Sequence, residues 1–203
     1  MRSLLTLPAP LVLASASPRR KKLLEQIGLP FTVQVSAFDE DSVSTNLPPQ
    51  DYVQVLARSK ALAVAENRSL ASPAIVLGAD TTVVLDGQIL NKPTDAADAA
   101  RMLDLLSNRT HEVCTGIALV HGERVLTDVA RTEVRFRRIS GEEITAYIES
   151  GSPLDKAGSY GIQDDFGAVF VQEIRGCYYN VVGLPLELLY RRLREFAALL
   201  NHG

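Results

Sequence analysis

A run of four cations stands at the start of a predicted helix, where positive charge is unfavourable. The stretch LASASPRRKKLLEQIG begins at Leu13 and ends at Gly28. Ser17 is a typical helix N-cap, Pro18 suits the first helical position, and Gly28 suits the left-handed position after the helix end. Each cation near a helix N-terminus is unfavourable by about 0.3–1 kcal/mol, whereas an anion is stabilised there. This arrangement therefore indicates a phosphate-binding site.

Within this run, Arg19 and Arg20 are the candidates for holding the phosphate. Guanidinium groups form paired hydrogen bonds with phosphate oxygens, and the hydroxyl of Ser15 can donate to the same anion. The alternative is a solvated first turn, which we expect for Lys21 and Lys22.

Two carboxylates could take part in the chemistry. Asp80 closes the apolar run AIVLGAD, a predicted strand of residues 74–80, and α/β proteins bring ligand groups to strand ends. It could hold a divalent metal or act as a general base, or it could form an Asx turn. Glu40, in the loop sequence FDED, could be a second metal ligand or a simple loop charge.

Two lysines and one glutamine complete the candidate set. Lys60 shares the apolar stripe of a predicted helix, residues 51–68, and Lys92 precedes a proline. Either ammonium group could reach a phosphate, or it could extend into water, which is the more common case. Gln163 lies in the glycine-rich loop 151–167, and its amide can pair with a nucleobase edge.

The predicted elements position these residues in an α/β protein. Strands are predicted at 11–14, 31–35, 74–80, 81–85 and 168–176, with a long hairpin around His121-Gly122. Ser140 and Glu143 predict a capping box, and an amphipathic helix closes the chain. Strands and helices are mixed along the chain, and hairpins occur in its second half. This pattern favours a mixed sheet, and we expect a single domain spanning 1–203.

Composition excludes several classes of function. The 203 residues carry a net charge of -3, so the four cations are a local feature and we expect no nucleic-acid partner. Motifs of P-loop proteins and of acyl-transfer enzymes are missing from the sequence. No apolar run reaches the length of a membrane span, so we expect no membrane partner.

The N-terminus and the cysteines bear on localisation. Residues 1–16 have some features of a weak secretory signal, but Thr6, Pro8 and Pro10 interrupt its apolar part. Cys114 and Cys177 lie far apart and suggest no disulfide framework, so we expect a reducing, cytoplasmic location.

Five ordered blocks resemble the Maf family of nucleoside triphosphate pyrophosphatases. They are LASASPRR, GADTTV, ILNKP, LDKAGSYGIQ and NVVGLPL, and the likeness extends from about Leu11 to Leu193. The resemblance implies an elongated α/β fold with a central mixed sheet flanked by helices, similar to inosine triphosphate pyrophosphatases. It also implies hydrolysis of a nucleoside triphosphate to the monophosphate and pyrophosphate with a divalent metal (magnesium or manganese), and a homodimer.

The same resemblance assigns roles by position. The catalytic residue falls on Asp80, which with Glu40 also serves the metal. Phosphate-binding residues fall on the following positions: Ser15, Arg20, Lys60 and Lys92. Arginine, threonine and glutamine mark the branch that prefers dTTP and UTP, and they are matched by Arg19, Thr81 and Gln163.

Two other functions stay open at this level. One is a pyrophosphatase for another modified or purine nucleotide. The other is a regulator of cell division (septum formation) that acts by binding a nucleotide or a partner protein. Retention of Asp80 with the arginines and lysines disfavours a purely binding role.

Overall fold

The computed structural model describes residues 4–66, 73–163 and 165–201. In these ranges the strands are β1 (Leu11–Leu13), β2 (Phe31–Val33), β3 (Ile75–Leu85), β4 (Gln88–Leu90), β5 (Thr110–His121), β6 (Arg124–Phe136) and β7 (Val171–Arg175). The α-helices are α1 (Pro18–Gln26), α2 (Pro49–Ala65), α3 (Ala96–Leu106), α4 (Gly141–Glu149), α5 (Tyr178–Val182) and α6 (Leu186–Asn201). Short 3-10 turns cover Glu40–Ser42, Ser152–Asp155, Ala157–Ser159 and Asp165–Phe170.

The strands form one mixed sheet, in the order β2-β1-β3-β5-β6-β7, with β4 paired to β3. β1 runs parallel to β2 and β3, and the remaining pairs are antiparallel. Helices cover the sheet, so the predicted α/β class with a central mixed sheet is confirmed.

One edge of β3 changes partner along its length, and this leaves a gap in the sheet. Residues 75–77 pair with β1, and residues 83–85 pair with β4. Between these segments, β3 is paired only on its other side, to β5. The turn that follows β1, with Ser15 and Ser17, lies at this gap and leads into α1. Ligand sites of α/β proteins occur at such changes of strand order, beyond the carboxyl ends of strands.

The position of Asp80 corrects one prediction. A strand ending at Asp80 and a separate strand after it were expected, but β3 is continuous from Ile75 to Leu85. Asp80 therefore lies in mid-strand, opposite Gly116 of β5. It is still accessible from the cleft because β1 has already ended at Leu13.

The two faces of β3 carry different parts of the core. Even-numbered side chains such as Val76 and Val84 pack against α2, whereas odd-numbered ones such as Leu77 and Val83 join a larger core with α1, α3, α4 and α6. The backbone of α2 approaches the sheet closely at two glycines. A Cβ on Gly78 would lie 2.0 Å from the carbonyl oxygen of Ala57, and the corresponding distance at Gly116 is 2.4 Å to that of Val53.

Several local predictions hold, and others need correction. Ser17 caps α1, Gly28 has φ 67°, and the Ser140–Glu143 capping box is present. The strand expected at 168–176 begins only at Val171, after a 3-10 turn. The short helix α5 and the 3-10 turns within loop 151–167 were not predicted. Residues 67–68, the predicted end of the second helix, lie outside the described residues.

Two further expectations concern membranes and thiols. Among the residues described, no helix combines the length and the apolar character needed to cross a bilayer. Cys114 and Cys177 are unpaired thiols.

Candidate active site

The gap in the sheet opens into a cleft of about 630 Å³. A volume of this size suits a small-molecule ligand. The structure brings together in this cleft all nine residues predicted for the site: Ser15, Arg19, Arg20, Glu40, Lys60, Asp80, Thr81, Lys92 and Gln163. Six different segments of the chain supply them, so only the fold makes them neighbours.

Lys60 and two carboxylates form the centre of the cleft. The Lys60 ammonium donates to Asp80 Oδ1 at 2.6 Å and lies 2.9 Å from Glu40 Oε1. Lys60 and Asp80 are 8% and 7% exposed, whereas the Glu40 side chain is half-exposed. Glu40 is held by a 3-10 turn that Asp39 caps through the backbone N–H of Asp41. Both carboxylates therefore converge on one cationic centre.

Burial and charge act in opposite directions on the two carboxyl groups. Desolvation raises the pKa of Asp80, even though Lys60 and Arg20 act to lower it. Burial also opposes ionisation of Glu40, but its contacts with Lys60, assisted by Lys92, bring its pKa below the usual value. Asp80 is thus the carboxylate with the greater affinity for a proton, as a general base requires.

Arg20 is held by the backbone and by hydroxyl groups. Its guanidinium donates to the carbonyl of Gly183 at 2.9 Å, to Thr81 Oγ1 at 3.0 Å and to Ser15 Oγ at 3.3 Å. Burial lowers the pKa of Arg20, and the charge of Asp80 partly compensates. These three bonds, from separate segments of the chain, orient the side chain, and the bond from the Arg20 backbone N–H to Ser17 Oγ fixes the start of α1.

The hydroxyl of Thr81 belongs to the same hydrogen-bond network. Besides Arg20, it contacts Thr115 Oγ1 at 2.9 Å, and Thr115 donates to the carbonyl of Asn180 at 3.0 Å. Asn180 is fully buried, and its amide donates to Val113 and Thr132. Thr81 is therefore placed to orient Arg20, in addition to lining the cleft.

Arg19 lines the cleft and forms an ion pair with Asp155, another lining residue. Its Nη1 lies 3.0 Å from Asp155 Oδ2, and Asp155 Oδ1 accepts from the buried Lys156 at 2.8 Å. The charge conflict at the start of α1 is thus partly resolved within the protein. Lys21 and Lys22 are exposed, as expected for a solvated turn, and Lys21 lies 3.9 Å from Glu25.

The residues just before Gln163 are anchored by contacts between aromatic side chains. Tyr160 is buried, and its hydroxyl lies 2.8 Å from Nε2 of His111. Burial lowers the pKa of His111 to about 3, so the imidazole stays neutral near pH 7. Phe136 packs edge-on against both rings. Gln163 is half-buried at the cleft wall and follows this anchored stretch.

Among the side chains that line the cleft, sequence reasoning missed Tyr52 and Asn91. Tyr52 lies two helical turns before Lys60 on α2, on the same buried stripe. This helical spacing was the only sequence signal that could have placed Tyr52 at the site, but it is equally typical of a residue in the hydrophobic core. Asn91 precedes Lys92 and carried no separate signal.

The donor set of the cleft fits a divalent cation. Glu40 Oε1 and Asp80 Oδ1 lie 2.9 and 2.6 Å from the Lys60 ammonium, so the two carboxylates are close enough together to share a cation. Mg²⁺ typically takes one or two carboxylates together with water and substrate phosphates. Five cations and four carboxylates of the described residues line the cleft. This near balance of charge leaves a polyphosphate under-neutralised, so an added metal ion suits the site. No group of three or more His, Cys, Asp or Glu side chains in the described ranges could hold a metal without such additional ligands.

Fold and cleft together define an α/β protein with a carboxylate–cation cluster at a gap in its sheet. The chain belongs to the Maf family, because the family model described as Maf-like protein matches residues 10–196. A dTTP/UTP pyrophosphatase of Bacillus cytotoxicus is 52% identical over 192 residues, covering 95% of this chain and 98% of that protein. One from Bacillus cereus is 51% identical over 193 residues, with the same coverage. A solved HAM1 protein from Coxiella burnetii matches 96% of this chain and 100% of its own at 14% identity and a TM-score of 0.45, too distant to bear on the site.

Proposed function

We propose that this protein hydrolyses dTTP and UTP to the nucleoside monophosphate and pyrophosphate. The relatives named for this activity are about half identical to the chain over 95% of its length. The observation that carries the proposal is the central triad, in which buried Asp80 faces Lys60 beside Glu40 within a cleft lined by further cations.

The cations have separate tasks in this proposal. Arg20, in the first turn of α1 where the helix dipole is positive, meets the phosphate chain at the gap in the sheet. Lys92 lines the same cleft and supplies a further positive charge to the phosphate chain. Lys60 offsets the charge of the two carboxylates, so that a polyanion can come close to Asp80 without strong repulsion.

Asp80 acts as the general base. It takes a proton from a water molecule, whose oxygen attacks the α-phosphorus. The bond from that phosphorus to the bridging oxygen breaks, and pyrophosphate leaves with the electron pair. Burial favours this role since it raises the pKa of Asp80, so the carboxylate accepts a proton more readily than a solvated one.

Glu40 and Asp80 would hold a magnesium or manganese ion. When bound, such an ion would neutralise charge on the phosphate oxygens and polarise them. On the base side, Arg19 and Gln163 are the groups that contact the nucleoside, and Thr81 acts through its bond to Arg20. A homodimer and a cytoplasmic location complete the proposal, the latter supported by two unpaired thiols.

Product analysis tests this function. The protein is incubated with dTTP, UTP, CTP, GTP, ITP or 7-methyl-GTP and magnesium or manganese, and the products are separated by anion exchange. We expect monophosphate and pyrophosphate, chiefly from dTTP and UTP. Release of inorganic phosphate instead, or no turnover of these two nucleotides by folded protein, would refute the proposal.

A pair of matched variants assigns the base. Asp80→Asn should remove most turnover, by about 10²-fold or more, and leave the circular dichroism spectrum unchanged. Asp86→Asn is the control, because Asp86 lies in the exposed β3–β4 turn at φ 50°, a conformation that asparagine tolerates. Near-normal turnover by Asp80→Asn would exclude Asp80 as the base.

A further inference from the structure

The cleft contains one exposed cation whose position depends on its backbone. Lys92 lines the cleft, and within the described part of the chain its ammonium makes no hydrogen bond and no ion pair. Its charge also contributes to the lowered pKa of Glu40, a member of the central triad. A lysine with no side-chain partner reaches a fixed point only if the backbone at its Cα is fixed.

The residue before it, Asn91, supplies that fixation through three hydrogen bonds. Its Oδ1 accepts from Thr82 Oγ1 at 3.0 Å, and its Nδ2 donates to the Tyr52 hydroxyl at 2.9 Å. Its backbone carbonyl accepts from the N–H of Gly158 at 3.1 Å. Thr82 and Tyr52 are 0% and 4% exposed, so these bonds are shielded from water.

The partners of Asn91 belong to the two elements that carry the central triad. Thr82 is on β3, two residues after Asp80 and on the same face. Tyr52 is on α2, eight residues before Lys60 and on the same buried stripe. One amide thus fastens the Lys92 backbone to both the strand of Asp80 and the helix of Lys60.

We propose that Asn91 is a positioning residue. It holds the backbone of Lys92 at a fixed position relative to Lys60 and Asp80, so that the Lys92 ammonium meets the phosphate chain. The inference rests on the proposed function only in its choice of substrate. Its competitor is a purely structural amide that stabilises the fold without acting through Lys92.

A double-mutant cycle separates the two roles. Asn91→Ala, Tyr52→Phe and Thr82→Val are each made in the wild-type chain and in Lys92→Ala, and kcat/KM is measured with dTTP. If Asn91 acts through Lys92, we expect Asn91→Ala to lose about 10-fold or more in the wild-type chain, and at most about 2-fold in Lys92→Ala. Equal losses in the two backgrounds would overturn the proposal.

The two conservative variants keep the test informative if Asn91→Ala does not fold. Tyr52→Phe and Thr82→Val each remove one bond to Asn91 while preserving packing volume. Each should lose about 3-fold in the wild-type chain and nothing further in Lys92→Ala. Ser140→Ala is the stability control: it removes the α4 cap and should leave kcat/KM unchanged.

A binding measurement does not depend on turnover. Calorimetric titration with inorganic tripolyphosphate should show weaker binding by Lys92→Ala and by Asn91→Ala, and no additional weakening in the double variant. If dTTP is not hydrolysed but this pattern appears, the proposed function fails and the role of Asn91 stands. Absence of tripolyphosphate binding, or binding insensitive to Lys92, would overturn the role of Asn91 itself.

Discussion

Replacing Gly78 by alanine should push α2 away from the sheet and disable the site. The added Cβ would lie 2.0 Å from the carbonyl oxygen of Ala57 and 3.0 Å from the Cβ of Ala61. Both neighbours belong to α2, and the closer one is a backbone atom that cannot rotate away. The helix or the strand must therefore move.

The size of the movement follows from these distances. Contacts of a Cβ below 3.0 Å essentially do not occur, so the Ala57 carbonyl must retreat by about 1 Å or more. Lys60, one turn further along α2, moves with it, and its 2.6 Å bond to Asp80 lengthens beyond hydrogen-bond range. A displacement of about 1 Å at a catalytic group can cost about 100-fold in rate, and overpacking costs about 1–3 kcal/mol of stability.

The assay measures kcat/KM with dTTP and the free energy of unfolding in urea. We expect Gly78→Ala to lose about 100-fold in kcat/KM and about 1–3 kcal/mol in stability. Gly141→Ala is the matched control, since no atom lies within 4 Å of the added Cβ in the first turn of α4. Wild-type activity and stability in Gly78→Ala would refute the reasoning that glycine sets the distance between α2 and β3.

Three further predictions concern protons and charge. The acidic limb of the pH profile of kcat/KM should lie above pH 3.8, because burial raises the pKa of Asp80, and Lys60→Met should move it higher by removing a cation that lowers this pKa. Acidification should destabilise the fold through His111. Burial lowers the pKa of its imidazole from 6.5, the value of an exposed histidine, to about 3 in the folded protein. Stability is therefore lost as the pH falls below 6.5, by about 2 kcal/mol at pH 5. Urea denaturation at pH 7.5 and 5 measures this loss, and His111→Gln should show less of it; an unchanged loss would exclude the imidazole. Asp155→Asn should reduce the preference for dTTP over CTP by about 2- to 5-fold, because Arg19 loses the exposed ion pair that holds it and then contacts the nucleoside less selectively. An unchanged ratio of the two kcat/KM values would contradict this prediction.

Features governed by neighbours in the chain could be predicted from the sequence. The cap at Ser17, the left-handed Gly28 and the Ser140–Glu143 box each depend on a few adjacent residues. The α/β class followed from the same local signals. The grouping of the site residues was expected only through the resemblance to a family, because their separations in sequence contain no information about the cleft.

Features set by distant partners could not be predicted in this way. Asp80 was placed at a strand end, but the extent of β3 is decided by its pairing with β5 over residues 76–84. The ion pair of Arg19 with Asp155 joins residues 136 positions apart. Helix α5 has only five residues and no side-chain cap, so it depends on the buried contacts of Asn180 with β5 and β6.

The bond between Arg20 and the carbonyl of Gly183 has a consequence for the growing polypeptide. These residues are 163 positions apart, so a ribosome makes the arginine early and its acceptor near the end of the chain. Until Gly183 has emerged, Arg20 lacks one of its three side-chain acceptors, and Thr81 and Thr115 lack their link to the α5 segment. A nascent or truncated chain that lacks this contact should therefore be inactive towards nucleotides, and activity should arise only once that glycine has emerged from the ribosome and joined the fold.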